Sequence, residues 1–182
     1  MTHQQIKYAR LNEKLMLSRW DSFSHFKPVF FLVGVVISIP AFKIYHTLNG
    51  RTRTYNKLEI MMSLVMLFAA FLIYLFQKHR LNFSWIKSAL PHEATVEIIK
   101  EVAVELNWSL QEVHSDFIIA MTKAPFLSES SGERVTIVFD SNKLLINILD
   151  VDFIWLSKSS TDINYLFAAI EQQQYLSDYP TL

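Results

Sequence analysis

The residues of this sequence that could do chemistry together are mostly acidic, and one group of them lies on a predicted helix. Four glutamates recur at every fourth position and so line one side of that helix: Glu93, Glu97, Glu101 and Glu105. Carboxylate-bridged metal sites draw their ligands from several helices and usually add histidines. We therefore interpret the line as a solvated acidic face that can meet a basic partner, and we expect no metal site.

A second group of candidate residues brackets a predicted β-hairpin. Asp140 and Asp150 stand at its turn and its end, and His114 belongs to an earlier turn. If these three side chains converged near the sheet edge, they would suit a membrane-anchored hydrolase or a lipid- or envelope-modifying enzyme. Acidic residues in turns are far more often turn formers. The enzyme is therefore the alternative hypothesis, and we assign no catalytic residue.

The sequence contains no motif for the other classes of chemistry that we considered. The chain has no cysteine, which excludes disulfides, iron–sulfur clusters and thiolate nucleophiles. Its three glycines are too dispersed for a phosphate-binding loop. Basic residues are not interleaved with aromatic residues in a stripe, so we expect no nucleic-acid partner. We expect a non-enzymatic protein without a cofactor.

The elements that would position these residues follow two apolar stretches, residues 29–48 and 58–77. Each has the length that an α-helix needs to cross the hydrocarbon core of a bilayer. Their only charges, Lys43 and Glu59, lie near an end, where long side chains reach the headgroups. Neither stretch has a polar face that could meet water. We predict a transmembrane hairpin over residues 28–77, surrounded by lipid.

Three residues of the first stretch predict its shape and packing. Pro40 lacks the amide proton that would bond to the carbonyl of Val36, so we expect a kink. Gly34 and Ser38 form a small-residue pair, which lets another helix approach closely. That helix belongs either to this hairpin or to a partner. We expect the partner to be another membrane protein or a further copy of this chain.

Residues 1–27 form a basic, partly amphipathic tail. Four apolar side chains fall near a helical repeat: Ile6, Leu11, Leu15 and Trp20. A basic helix with such an edge lies in the membrane interface, where Trp20, Phe23 and Phe26 would sit at headgroup level. A solvated, frayed tail is the other interpretation.

Beyond the hairpin, we predict a juxtamembrane linker over residues 78–90 and a small α+β domain over residues 91–182. The domain begins with a helix from Pro91 to Asn107, whose apolar stripe includes Val96, Ile99 and Ala103. Three to five antiparallel strands follow, among them residues 117–122, 134–139 and 143–149, with 150–157 as a further strand or an extended loop.

The predicted domain ends with a helix capped by Ser159 or Ser160, and residues 172–182 trail off. Two helices would then cover one face of the sheet. Phe126, Phe153 and Trp155 are candidate exposed aromatic residues for a partner, although for the last two we favour a place in the core.

These features predict a two-span membrane protein whose C-terminal domain is a binding or scaffold module, as an accessory subunit of a larger membrane complex. The tail and the segment after the second stretch carry eight basic residues: Lys7, Arg10, Lys14, Arg19, Lys27, Lys78, Arg80 and Lys87. The connector side carries four: Lys43, Arg51, Arg53 and Lys57. Lys and Arg accumulate on cytoplasmic flanks, so we expect both termini in the cytoplasm. The architecture is similar to that of many small bacterial membrane proteins, which suggests the inner membrane and implies no activity.

Overall fold

The computed structural model describes residues 1–49, 56–122, 132–150 and 159–178. The chain divides into two compact units. We call Met1–Met16 together with Arg80–Leu182 the sheet domain, and Leu17–His79 the hairpin unit.

The described residues form six helices and one five-stranded antiparallel sheet. The helices are α1 His3–Asn12, α2 Arg19–His25, α3 Lys27–Leu48, α4 Lys57–Arg80, α5 His92–Glu105 and α6 Ser159–Asp178. The strands are β1 Ser84–Lys87, β2 Ser109–Val113, β3 Phe117–Met121, β4 Glu133–Asp140 and β5 Lys143–Asp150. Their order in the sheet is β1-β5-β4-β3-β2. The antiparallel sheet of three to five strands is thus confirmed, with five.

One face of the sheet is covered by α5 and α6. Ile137 of β4 and Ile146 of β5 are register partners on this face, and both are fully buried. Ile99 of α5 and Leu166 of α6 are buried in the same core. The predicted apolar stripes of α5 and α6 thus face the sheet. Side chains that recur at helical spacing lie on one side of a helix and can be buried together. The indole of Trp108 donates to Asp162 Oδ2 at 3.3 Å, which ties the first turn of α6 to the end of α5.

The opposite face of the sheet is also buried, and α1 packs against β4 there. Val138 and its register partner Leu145 are fully buried, although alternation in the strands points them away from α5 and α6. Ile6 and Ala9 of α1 are buried as well. Arg10 of α1 fixes the position, since its Nε donates to Phe139 O at 2.8 Å and its Nη2 pairs with Asp116 at 2.7 Å.

The two segments of the sheet domain that precede and follow residues 17–79 in sequence pair with each other. Leu15 N donates to Leu81 O, and Phe83 N donates to Glu13 O, each at 2.8 Å. Residues 17–79 are therefore an insertion into a domain whose sequence is discontinuous.

These boundaries differ from the predicted ones. Residues 1–27 are not one tail: α1 ends where Glu13 adopts a left-handed backbone (φ 51°), and of these residues only 1–16 belong to the sheet domain. The predicted linker 78–90 contains β1, which pairs with β5. Helix α6 continues to Asp178, whereas we expected residues 172–182 to trail off. The expected strand or loop at 150–157 lies almost wholly outside the described residues.

Candidate membrane hairpin and polar sites

Helices α3 and α4 have 22 and 24 residues, and both are long and apolar enough to cross a membrane. They contain the predicted stretches 29–48 and 58–77. Pro28 stands in the first turn of α3, where its missing amide proton costs nothing. The helix continues through Pro40 to Leu48.

Most apolar side chains of both helices are exposed. Only 11% of the most apolar part of α3 and 6% of that of α4 are buried. Phe31, Phe68 and Phe71 are each more than half exposed. An apolar surface of this extent is unstable in water and marks contact with a membrane or another protein.

The two charges of the apolar stretches, Lys43 and Glu59, lie against each other. Lys43 is buried, and its Nζ forms an ion pair with Glu59 Oε2. Glu59 also accepts from Asn56 N at 3.2 Å, while Asn56 Oδ1 accepts from Leu58 N at 3.3 Å, so the carboxylate belongs to the N-terminal cap of α4. The sequence predicts that each charge reaches the headgroups by itself, whereas the structure pairs the two. Their similar distance from the connector was the signal for a pair.

Contacts at the opposite end confirm that α3 and α4 are antiparallel. The ring of Phe26 lies 5.5 Å from that of Tyr74, and His25 Nε2 lies 3.0 Å from Gln77 O. The small-residue pair takes no part in this packing. Apart from its chain neighbours and the backbone of its own helix, no atom of the described residues lies within 4 Å of a Cβ built on Gly34, and Ser38 Oγ donates to Val35 O within its own helix.

The three residues of the hypothetical enzyme site are not brought together. In the backbone register, Asp140 lies opposite Lys143 at one end of the β4–β5 hairpin, and Asp150 lies opposite Glu133 at the other end. Seven residue steps separate these ends, which is about 23 Å at about 3.3 Å per residue. His114 is largely exposed, with Nε2 3.9 Å from Glu112 Oε2.

The predicted acidic line is exposed on α5 at all four of its positions, Glu93, Glu97, Glu101 and Glu105. Tyr165 of α6 donates to Glu105 Oε2 at 2.5 Å. This hydrogen bond, with the negative charge of the carboxylate, raises the pKa of the Tyr165 hydroxyl above its ordinary value. Among the described residues no group of three or more acidic and histidine side chains is arranged to hold a metal ion. The candidate aromatic residues Phe126, Phe153 and Trp155 lie outside the described residues.

Asn147 is a polar residue that sequence reasoning missed. It is 2% exposed in the middle of β5, and its Nδ2 donates to Arg80 O at 2.9 Å and Asn82 O at 2.8 Å. It thus holds the segment that follows α4 against the sheet. Its Oδ1 has no hydrogen-bond partner among the described residues, and neither does Nη2 of Arg80. The only signal was one amide within the apolar run KLLINIL.

Comparison with known proteins finds no matching family and no curated protein with significant similarity. The argument for function therefore depends on the two units themselves.

Proposed function

We propose that the hairpin unit anchors this protein in a membrane as two transmembrane helices. The exposure of their apolar side chains carries the proposal, because core helices of a soluble protein are mostly buried. At a rise of about 1.5 Å per residue, α3 and α4 are about 33 and 36 Å long, against a hydrocarbon core of about 30 Å. A cleaved signal sequence would explain α3 alone and would leave α4 exposed.

The proposed orientation places the sheet domain and both termini in the cytoplasm, at a bacterial inner membrane. The pairing of residues 13–15 with residues 81–83 supports a common side for both ends of the insertion, as two crossings require. The count of basic residues also favours this orientation, with eight on the side of the sheet domain against four on the connector side.

We propose that the sheet domain is a non-enzymatic binding or scaffold module, and that the protein is an accessory subunit of a larger membrane complex. The exposed acidic face of α5 supports this role, because it offers a charged surface to a basic partner. The separation of Asp140 from Asp150 speaks against the hydrolase that we considered as the alternative.

A charge placed in the middle of α4 tests the anchor. Phe68→Arg should lower the amount of protein that resists carbonate extraction from membranes, because arginine at a helix centre costs about 2.5–3.5 kcal/mol on insertion. Val104→Arg is the matched control, since Val104 is exposed on α5 of the sheet domain. If Phe68→Arg remains in the membrane at the level of the control, α4 does not span.

Purification in mild detergent tests the accessory role. Native mass spectrometry of the tagged full-length chain should find another membrane protein at fixed stoichiometry. That protein should be absent when Phe68→Arg is purified in the same way. A chain that is recovered only as a monomer or as a homo-oligomer contradicts the accessory role and leaves the anchor untouched.

A further inference from the structure

Helix α2 presents its aromatic residues outward. Trp20 is 83% exposed and Phe23 is 55% exposed. At about 100° per residue, one third of the helix circumference carries Arg19, Trp20 and Phe23 with the adjoining Phe26. The other side carries Asp21, Ser22, Ser24 and His25.

The burial of α2 is the reverse of that of a helix on a water-soluble domain. On the polar side Asp21, Ser22 and His25 are partly buried and only Ser24 is exposed. On the aromatic side Trp20 and Phe23 are exposed and Phe26 is partly buried. On a soluble domain the apolar side of such a helix faces the core and the polar side faces water. Ser18 Oγ accepts from Asp21 N at 3.1 Å, so the helix is capped and its orientation is defined.

The exposed aromatic surface continues from α2 onto the spanning helix. The ring of Phe23 stacks on that of Phe30, with centroids 5.4 Å apart, and Phe30 is itself more than half exposed. Phe30 belongs to the first turns of α3. The three rings of Trp20, Phe23 and Phe30 form what we call the α2 aromatic surface.

Cations flank the α2 aromatic surface within the hairpin unit. Arg19 and Lys27 are exposed at the two ends of α2, and Lys78 is exposed near the end of α4, with its Nζ 5.9 Å from the centre of the Tyr74 ring. Tryptophan and basic residues share the headgroup region of membranes, where the indole meets the acyl chains and the cation meets anionic lipid.

We propose that α2 is an interfacial helix that binds the surface of the bilayer. Trp20 and Phe23 lie at the boundary between headgroups and acyl chains, and Arg19 and Lys27 contact anionic headgroups. The inference rests on the proposed anchoring of α3 and α4. Only Phe26 separates α2 from α3, so α2 lies next to the point where α3 would enter the lipid. A lipid surface therefore fits the site better than a protein partner.

Quenching of tryptophan fluorescence by brominated phospholipids tests this. The full-length chain is reconstituted into vesicles of phosphatidylcholine and phosphatidylglycerol, brominated at either the 6,7 or the 11,12 acyl positions. Trp85, which is half-exposed in the sheet domain, and Trp155, which lies outside the described residues, are first replaced by Phe, so that Trp20 and Trp108 are the two tryptophans that remain. In that background Trp20→Phe should remove most of the quenchable emission, and quenching should be stronger with 6,7-bromines. Trp108→Phe, at a buried position, is the matched control and should keep it.

A second variant separates failure of this inference from failure of the anchor. Phe68→Trp places an indole in the middle of α4, where 11,12-bromines should quench most strongly. If that indole is quenched while Trp20→Phe changes nothing, the hairpin spans and α2 faces water or a partner protein, which overturns the inference. If neither indole is quenched, the anchor itself is wrong.

Discussion

Replacing residues 17–79 by a short flexible linker should yield a folded, water-soluble sheet domain, whereas residues 88–182 alone should not fold. The linked chain keeps α1, β1 and the pairing of Leu15 N with Leu81 O at 2.8 Å, so its new connection joins adjacent ends. The shorter chain is close to the domain 91–182 that the sequence predicts. It lacks both α1 and β1 and leaves one face and one edge of the sheet uncovered.

The magnitude follows from the side chains that the shorter chain loses. Ile6, Leu15, Phe83 and Ile86 are each buried to 9% exposure or less. Full burial of such a side chain contributes about 1.5–3 kcal/mol. The combined contribution of four such side chains is comparable to the free energy of unfolding of a whole domain, about 5–15 kcal/mol. A linker of about eight residues adds little, because each doubling of loop length costs only about 0.6 kcal/mol.

The assay is urea unfolding followed by tryptophan fluorescence, to which buried Trp108 contributes in both chains, with circular dichroism for secondary structure. The linked chain should unfold cooperatively, and residues 88–182 should show no transition. If residues 88–182 unfold at the same urea concentration as the linked chain, α1 and β1 contribute nothing to the stability of the sheet domain. If the linked chain is itself unfolded, residues 16 and 80 are not adjacent.

Three further predictions follow from named side chains. In the linked sheet domain, Ile6→Ala should lower the free energy of unfolding by about 2–5 kcal/mol. Leu11→Ala, at a position 73% exposed on the same helix, should change it by less than about 0.5 kcal/mol. Equal urea midpoints for the two variants would refute the packing of α1 against the sheet. Ile137→Ala should also cost about 2–5 kcal/mol, and a loss below about 1 kcal/mol would place β4 outside the core. Glu59→Gln removes the carboxylate that pairs with Lys43, so less protein should resist carbonate extraction. Adding Lys43→Met to this variant should restore the resistant amount. If Glu59→Gln leaves the resistant amount unchanged, insertion does not need the ion pair.

The elements that the sequence predicts well are those with a strong local pattern. The two apolar helices follow from length and polarity, and α5 follows from its apolar spacing. The β4–β5 hairpin follows from two alternating runs around a polar turn. The run at β4 held one further clue: Val138 is apolar on the side opposite Ile137, which indicates a strand buried on both faces.

The elements that the sequence does not predict depend on partners far along the chain. Ile6 and Leu11 look alike in the periodic pattern, but only Ile6 meets the sheet, and no local feature separates the two. Strand β1 has four residues and sits among basic and aromatic residues that resemble a membrane interface. The role of Asn147 depends on carbonyls more than sixty residues earlier.

The central claim is that the hairpin crosses the membrane and leaves the sheet domain in the cytoplasm. Since the chain has no cysteine, single cysteines at Thr52 in the connector and at Ser141 in the β4–β5 turn can be probed in intact cells with a membrane-impermeant maleimide. The account predicts labelling at Thr52 and none at Ser141 until the cells are lysed. Equal labelling at both positions would contradict the crossing, and labelling at Ser141 alone would reverse the orientation.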